Sequence, residues 1–104
     1  MVSGKEPVLE WLKSLNKTDK RIIGSDIKTV EKGWPLGMPL VEKLDKHLWE
    51  VRCDISDGCI ARIFFTVVKN DMVLLHGFKK KTQKTPKNDL ALAKKRRNIV
   101  KNFR

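Results

Sequence analysis

Apolar residues at helical spacing predict two short helices at the start of the chain. The first follows Pro7, which the first turn of a helix tolerates, and has apolar residues at positions 8, 11, 12 and 15. After a break at 16–18, where Asn16 or Thr18 can cap a helix, a second apolar stripe consists of Ile23, Ile27 and Val30. Gly33 ends this pattern. The sequence therefore predicts a helical hairpin.

From Trp49 the spacing of apolar residues changes to that of a strand. Four apolar residues alternate with polar ones up to Ile55, which predicts a strand with one face in water. Turn residues at 56–58 and 69–71 bound two further strands, predicted at 59–68 and 72–78. The segment 34–40, which joins the helices to the strands, contains two prolines and a glycine among large apolar residues. This composition predicts an irregular connection packed against the core.

The pairing of the first two strands follows from their apolar faces. Setting Ile55 opposite Cys59 gives one continuous apolar face, because a slip of one residue would turn every side chain to the wrong side. The same register sets Arg52 directly opposite Arg62. Like charges that face each other across a strand pair are unfavourable. We therefore expect a counter-charge between them, either an anion or a carboxylate from a partner.

The register of the third strand depends on the length of the turn at 69–71. A three-residue turn sets His76 opposite Phe64 and Phe78 opposite Arg62, whereas a two-residue turn sends both His76 and Phe78 inward. We favour the first arrangement.

The third strand is followed, directly after Phe78, by a polar segment that has no acidic residue. We expect this segment to face water or an anion, because its side chains are too polar for the core. The segment 79–86 contains four lysines, two threonines and a glutamine, and it ends in Pro86. Thr85 and Pro86 predict the N-cap and first residue of a last helix. The predicted apolar stripe of that helix consists of Leu92, Ile99 and Phe103.

The net charge of +11 lies almost entirely in the last quarter of the chain. Residues 79–104 contain eleven Lys and Arg against the single acid Asp89, whereas residues 1–78 contain twelve against eleven. So local an imbalance is typical of a surface that binds a polyanion or a strongly acidic protein. A lysine face that is merely solvated is the alternative.

Length and composition limit the other possibilities. A chain of 104 residues fits one domain, 1–104, and no apolar run approaches the roughly 20 residues that span a bilayer. The first residues lack the apolar core of a secretory signal, so we predict a cytoplasmic protein without a membrane partner. Cys53 and Cys59 do not match a zinc site and are predicted to be buried free thiols. No metal or other cofactor is predicted.

Four stretches of the sequence match the motifs of a known family. They are Gly37-Met38-Pro39-Leu40, Leu48-Trp49-Glu50-Val51-Arg52, Arg62-Ile63-Phe64-Phe65 and, most specifically, Leu75-His76-Gly77-Phe78-Lys79-Lys80-Lys81-Thr82-Gln83-Lys84-Thr85-Pro86. With these motifs the chain resembles the phage-derived HigB branch of the RelE/ParE toxin superfamily. The resemblance covers residues 7–100.

The resemblance implies a RelE-like α+β fold, in which an N-terminal helical hairpin packs on a small antiparallel sheet with a C-terminal helix. It also implies the toxin of a type II toxin–antitoxin pair, which cleaves messenger RNA on the ribosome and inhibits translation and growth. The implied partners are the ribosome, messenger RNA and a helix-turn-helix antitoxin, with which the toxin forms a hetero-oligomer. The chain departs from the family at its start. Only six residues precede Pro7, so the short edge strand with which members begin is not expected.

RNA cleavage of this kind needs a deprotonated 2′-hydroxyl, a stabilised phosphorane-like charge and a protonated leaving oxygen, and it needs no metal. The candidate catalytic residues are Arg62, His76, Lys79, Lys80, Lys81 and Glu50. Arg62 is the first candidate for the transition-state charge, because a guanidinium can bridge two phosphoryl oxygens. His76 can act as acid or base, or it can be a structural histidine, in which case a lysine crowded by cations replaces it. Glu50 is either a general base or the group that neutralises Arg52.

Further residues are predicted to bind RNA through phosphate contacts or base stacking. They are Arg52, Phe64, Phe78, Thr82, Gln83, Lys84, Thr85, Lys87, Lys94 and Arg97. Thr85 can instead be occupied as a helix cap, and both phenylalanines can instead pack in the core. Three other functions stay open: a non-catalytic RNA- or DNA-binding module, a ParE-like toxin that targets gyrase, and a degenerate toxin that only binds its antitoxin.

Overall fold

Two helices, a run of four strands and a last helix follow a short first strand in the computed structural model, which describes residues 2–4, 6–35, 40–80 and 86–103. In chain order the elements are β1 Val2–Gly4, α1 Glu6–Lys13, α2 Lys17–Gly33, β2 Val41–Asp45, β3 Leu48–Asp54, β4 Ile60–Val68, β5 Asp71–Lys80 and α3 Lys87–Phe103. A 3-10 turn, Ser56–Gly58, joins β3 to β4. The predicted α+β class is confirmed.

The two N-terminal helices form where the apolar spacing predicts them. Asn16 is the cap of α2, and its side-chain oxygen accepts a hydrogen bond from the backbone N–H of Asp19 at 2.8 Å. The predicted stripe of Ile23, Ile27 and Val30 is buried against the sheet. Because Asn16 supplies the cap, Thr18 lies inside the helix.

The sheet has two more strands than the sequence analysis predicts. Its order is β1-β5-β4-β3-β2, with β1 parallel to β5 and the other neighbours antiparallel. The expectation that no strand precedes the first helix is wrong, because Val2–Gly4 pairs with Met72–Leu74 along the free edge of β5. The other missed strand, β2, is only five residues long and turns into β3 through Lys46 and His47.

The predicted register of β3 and β4 is confirmed, and Arg52 lies opposite Arg62. The predicted pairing of β4 with β5 is also confirmed, although the turn between them differs. Val68 pairs with Asp71, so the turn has two residues instead of three. A bulge beside Phe64 then shifts the register by one residue, and His76 still lies opposite Phe64.

Each face of the sheet has its own apolar core. On one face α1 and α2 cover residues that include Val51, Ile63 and Phe65. Phe65 lies there beside two indole rings, with a centroid 5.4 Å from that of Trp34 and 5.9 Å from that of Trp49. The other face packs against α3, and its core includes Leu48, Phe64, Val73 and Leu75. The expectation that this second face is exposed to water is therefore wrong.

The buried side of α3 differs from the predicted stripe. Ile99 is 49% exposed, whereas Ala93 and Val100 are buried. The spacing of apolar residues predicted the wrong side of α3 as the buried one. The side of α3 that faces the sheet also carries charged residues, which form hydrogen bonds with the rest of the fold. The carbonyl of Pro86 accepts the N–H of Leu90, so α3 begins just after the proline. The predicted cap Thr85 and the side chain of Phe103 lie outside the described residues.

The remaining structural expectations are met in part. Trp34 and Leu40 pack against the first core, while residues 36–39 of the connection lie outside the described part of the chain. Both cysteines are free thiols; Cys53 is buried and Cys59 is half-buried. Burial raises the pKa of the Cys53 thiol well above its usual value. None of the described helices is long and apolar enough to cross a membrane.

Candidate active site

Six of the predicted site residues form two rows across β3, β4 and β5, on the side that faces α3. Residues directly opposite one another on adjacent strands point to the same face, and adjacent strands lie about 4.8 Å apart. Three strands therefore bring each row within about 10 Å. The first row is Glu50, Phe64 and His76, and the second row is Arg52, Arg62 and Phe78.

The carboxylate of Glu50 supplies the counter-charge that the paired arginines need. Its Oε1 atom lies 2.8 Å from Nη1 of Arg62 and 3.6 Å from Nε of Arg52. A second carboxylate, that of Glu42, lies 3.9 Å from Nη1 of Arg52. The chain thus balances the two facing guanidinium groups with its own acids. Of the two roles considered for Glu50, this geometry supports neutralisation of the arginines.

The side chains of the two arginines differ in their exposure to solvent. The side chains of Glu50 and Arg62 are 0% and 1% exposed, so their ion pair lies inside the protein. The side chain of Arg52 is 18% exposed and reaches the surface of the same face. Arg62 therefore lies beneath the surface, whereas Arg52 reaches it. Arg62 donates to the carboxylate of Glu50, and the same carboxylate contacts Arg52.

His76 is held by two residues of α3. Its Nε2 atom lies 2.6 Å from Oδ1 of Asp89, and its Nδ1 atom lies 3.4 Å from Nη1 of Arg96. A guanidinium can only donate, so Nδ1 is the acceptor and Nε2 carries the proton that is donated to Asp89. Arg96 also donates to the carbonyl of Leu75 at 2.8 Å. Both ring nitrogens are engaged, which favours the interpretation of His76 as a structural histidine.

The sequence analysis did not select Asp89 or Arg96 as site residues, although the position of Asp89 in the sequence was informative. It is the single acid among the cations of residues 79–104. In the structure this acid joins α3 to β5 through its contact with His76.

The aromatic rings of the two rows pack against one another. The centroids of His76 and Phe64 are 6.0 Å apart, and those of Phe64 and Phe78 are 5.6 Å apart. Phe64 is fully buried and Phe78 is 8% exposed. Neither ring presents a free face on which a base can stack in this arrangement, so packing is the role that the geometry supports for both.

The lysines at the end of β5 do not share one face. Successive strand residues point to opposite sides of the sheet. Lys80 therefore lies on the side of Phe78, and Lys79 lies on the side of Gly77, which is next to Trp11. Both lysines are exposed, and so is Lys87 at the start of α3. The predicted site residues that lie outside the described part of the chain are Lys81, Thr82, Gln83, Lys84 and Thr85.

Arg97 and Lys94 join α3 to the turn between β2 and β3. Arg97 Nη1 lies 2.8 Å from Oδ2 of Asp45 and 2.8 Å from the carbonyl oxygen of Lys46. Lys94 Nζ lies 3.9 Å from the same carboxylate. The hydrogen bond from Arg97 is the main reason that the pKa of Asp45 lies below its usual value. These contacts place Arg97 in the scaffold of the fold and outside the two rows.

The arrangement as a whole combines exposed or partly exposed cationic side chains with a buried ion pair. Arg52 and Lys80 present cations on one face of the sheet, and the Glu50–Arg62 pair and the stacked rings lie beneath or beside them. Within the described residues, no group of three or more His, Cys, Asp or Glu is arranged to hold a metal ion.

Comparison with known proteins gives one family match. A family model described as "Phage derived protein Gp49-like (DUF891)" matches residues 10–98. The matched region begins within α1, ends within α3 and contains both rows of the candidate site. No curated protein matches the chain.

Proposed function

Because the chain belongs to the phage-derived Gp49-like family, which is known for toxins of the RelE/HigB type, we propose that it is the toxin of a type II toxin–antitoxin pair and cleaves messenger RNA on the ribosome. The observation that carries this proposal is the cationic face beside α3, where the buried Glu50–Arg62 pair holds the partly exposed Arg52. A fixed cation of this kind fits a phosphodiester whose charge grows during cleavage.

The reaction that we propose is an in-line transfer within the RNA. The 2′-oxygen forms a bond to the adjacent phosphorus, the bond from phosphorus to the 5′-oxygen breaks, and a cyclic phosphate and a 5′-hydroxyl result. One group accepts the proton of the 2′-hydroxyl, and another protonates the 5′-oxygen. Arg52 and Lys80 stabilise the negative charge on the non-bridging oxygens. Arg62 and Glu50 are positioning residues that restrict the orientation of Arg52.

Proton transfer is assigned to the lysines at the end of β5. The ring of His76 is only 17% exposed, and both its nitrogens are engaged by α3, so its proposed role is to keep that helix in place. Lys80, which lies on the face of Arg52, and Lys81 are then the candidate acids and bases, whereas Lys79 lies on the other face of the sheet. The residues proposed to hold the RNA backbone around them are Thr82, Gln83, Lys84, Thr85 and Lys87.

Primer extension on a reporter transcript after induced expression tests the proposal. The native protein should produce discrete cleavages that disappear when translation is blocked. Arg52→Gln should reduce them about 10²-fold, the cost typical of losing one donor to transition-state charge. Lys43→Gln, which removes an exposed cation on β2, is the matched control and should cleave like the native protein. Cleavage by Arg52→Gln at the native rate would refute the proposed site.

The same experiment separates the other functions. Intact transcripts together with DNA breaks would indicate a toxin that targets gyrase. Growth arrest with intact transcripts and intact DNA would indicate a binding module that acts by occlusion.

We further propose a helix-turn-helix antitoxin whose acidic side chains cover the basic surface of the toxin. Electrostatic neutralisation of this kind weakens as salt rises. The affinity of the toxin–antitoxin complex should therefore fall between low and molar salt. An affinity that does not change with salt would instead place the contact on apolar surface.

A further inference from the structure

The outer side of α2 carries a second cationic surface, on the opposite side of the sheet from the candidate active site. A shallow groove runs along this helix, and its cationic lining residues are Lys20, Arg21, Lys28 and Lys32. All four are exposed, and Lys17 continues the same stripe at the start of the helix. In the described part of the chain, the groove has no acidic lining residue.

The acids of α2 all lie away from this groove. Asp19 is buried and bonds to Ser56, with its carboxylate 2.9 Å from the hydroxyl of that serine. Asp26 interacts with the thiol of buried Cys53. Glu31 lies beside Phe65 in the wall of a small apolar cavity on the sheet side. The sequence of α2 is therefore mixed in charge, whereas its exposed side is cationic along about four turns.

The shape and chemistry of the groove favour a sugar–phosphate backbone over a protein. Gly24 and Ser25 are among its lining residues, and a Cβ atom added to Gly24 would meet nothing within 4 Å, so a backbone can approach closely there. The hydroxyl of Ser25 is a short donor of the kind that contacts phosphate oxygens, whereas the hydroxyl of Thr29 donates to the carbonyl oxygen of Ser25 at 3.0 Å. The lining has no large apolar side chain, whereas protein interfaces are built around apolar and aromatic residues.

We propose that the outer groove of α2 binds the phosphate backbone of double-helical RNA. The binding is independent of base sequence, because a duplex is recognised by its shape and its backbone. It does not require the cleavage activity proposed above, since the groove and the active-site face lie on opposite sides of the sheet. The protein would hold a structured RNA on one side and present its active-site face on the other.

Fluorescence anisotropy with a labelled RNA duplex of about 20 base pairs, in mixed sequence, tests this inference. The groove variant combines Lys20→Gln, Arg21→Gln, Lys28→Gln and Lys32→Gln. The matched control removes the same charge from exposed positions elsewhere, by Lys43→Gln, Lys46→Gln, Lys69→Gln and Lys95→Gln. Because all eight positions are exposed, both variants should fold, and far-UV circular dichroism checks that they do.

The groove variant should bind the duplex at least about tenfold more weakly than the native protein at 0.1 M salt. The slope of log affinity against log salt should fall by about 3, since each lost phosphate contact lowers it by roughly 0.9. The control should stay within about threefold of the native affinity. Equal losses in both variants would overturn the inference, because the binding would then follow total charge. Stronger binding of poly-glutamate than of the duplex would also overturn it, in favour of an acidic protein partner.

Primer extension with the groove variant keeps this inference separate from the proposed function. Weak duplex binding together with native cleavage of translated transcripts would support the groove and leave the active site unaffected. If the groove variant binds the duplex like the native protein but does not cleave, the inference about the groove is overturned and the proposed active site is not.

Discussion

Replacement of Glu50 by alanine is expected to destabilise the protein far more than replacement of Arg52. Without that carboxylate, the guanidinium of Arg62 loses its 2.8 Å partner while it stays 1% exposed. Breaking a buried pair by removing one member costs about 3–5 kcal/mol. Domains of this size unfold with a free energy of about 5–15 kcal/mol, so this loss is a large share of the total.

The expected shift in Tm follows from the same figures. One kcal/mol lowers the Tm of a domain of 60–100 residues by about 4–8 °C, so Glu50→Ala should lower it by at least about 12 °C. Arg52→Gln should lower it by only a few degrees, since Arg52 is partly exposed and its Nε atom lies 3.6 Å from the carboxylate. Arg52→Gln is therefore the variant that tests cleavage in a folded protein.

Thermal unfolding followed by circular dichroism measures these shifts, and a double variant supplies the control. Glu50→Leu combined with Arg62→Met removes both charges and replaces them with apolar groups. It should be more stable than Glu50→Leu alone, because a buried pair can often be exchanged for apolar side chains at little cost. A Tm for Glu50→Ala within about 3 °C of the native value would refute the reasoning. A double variant no more stable than the single one would do the same.

Three further predictions concern the scaffold of the fold. Gly77→Ala should destabilise the protein by about 1–3 kcal/mol, because the new Cβ would lie 2.5 Å from a ring atom of Trp11. Gly24→Ala, in open space on a helix, should instead stabilise it by about 0.5–1 kcal/mol, and urea unfolding compares the two. The backbone N–H of Ser56 is the main reason that the pKa of Asp19 lies below its usual value. The stability that this carboxylate provides is present above its unfolded pKa and is lost as pH falls through the lowered folded pKa. Denaturation curves of Asp19→Asn should therefore depend less on pH in acid than native curves, and equal dependence would contradict the assignment.

Local patterns were sufficient to predict the elements whose partners lie close in sequence. The apolar alternation in β3 and β4 fixes their register, because a slip would expose one core and bury polar residues. The stripe on α2 predicted its buried side for the same reason. The charge conflict between Arg52 and Arg62 also followed from that register. The expected counter-charge is present, but it comes from Glu50 of the same chain and not from an anion or a partner.

The sequence patterns failed where a distant partner decides the structure. The bulge at Leu75 compensates for a turn that is one residue shorter than predicted, and no pattern near the turn indicates it. The inward side of α3 contains Arg96 and Arg97, whose guanidinium groups find a carbonyl of β5 and the carboxylate of Asp45. A hydrophobic stripe cannot predict such contacts, so it selected Ile99, which is exposed.

Several acids of the chain are bound within the fold, so a count of charged residues along the sequence underestimates the cationic surface. Residues 1–78 are nearly neutral in sum, yet Asp19 and Glu50 are buried, and Asp45 is bound to Arg97. A carboxylate that is bound elsewhere in the fold does not form an ion pair with the lysines on the outer side of α2. Among the described residues, the groove on that side is therefore lined by cations without an acid, although α2 itself contains three acids against five Lys or Arg. A protein with a cationic surface on each side of its sheet is suited to a site enclosed by RNA, where phosphates approach from both directions.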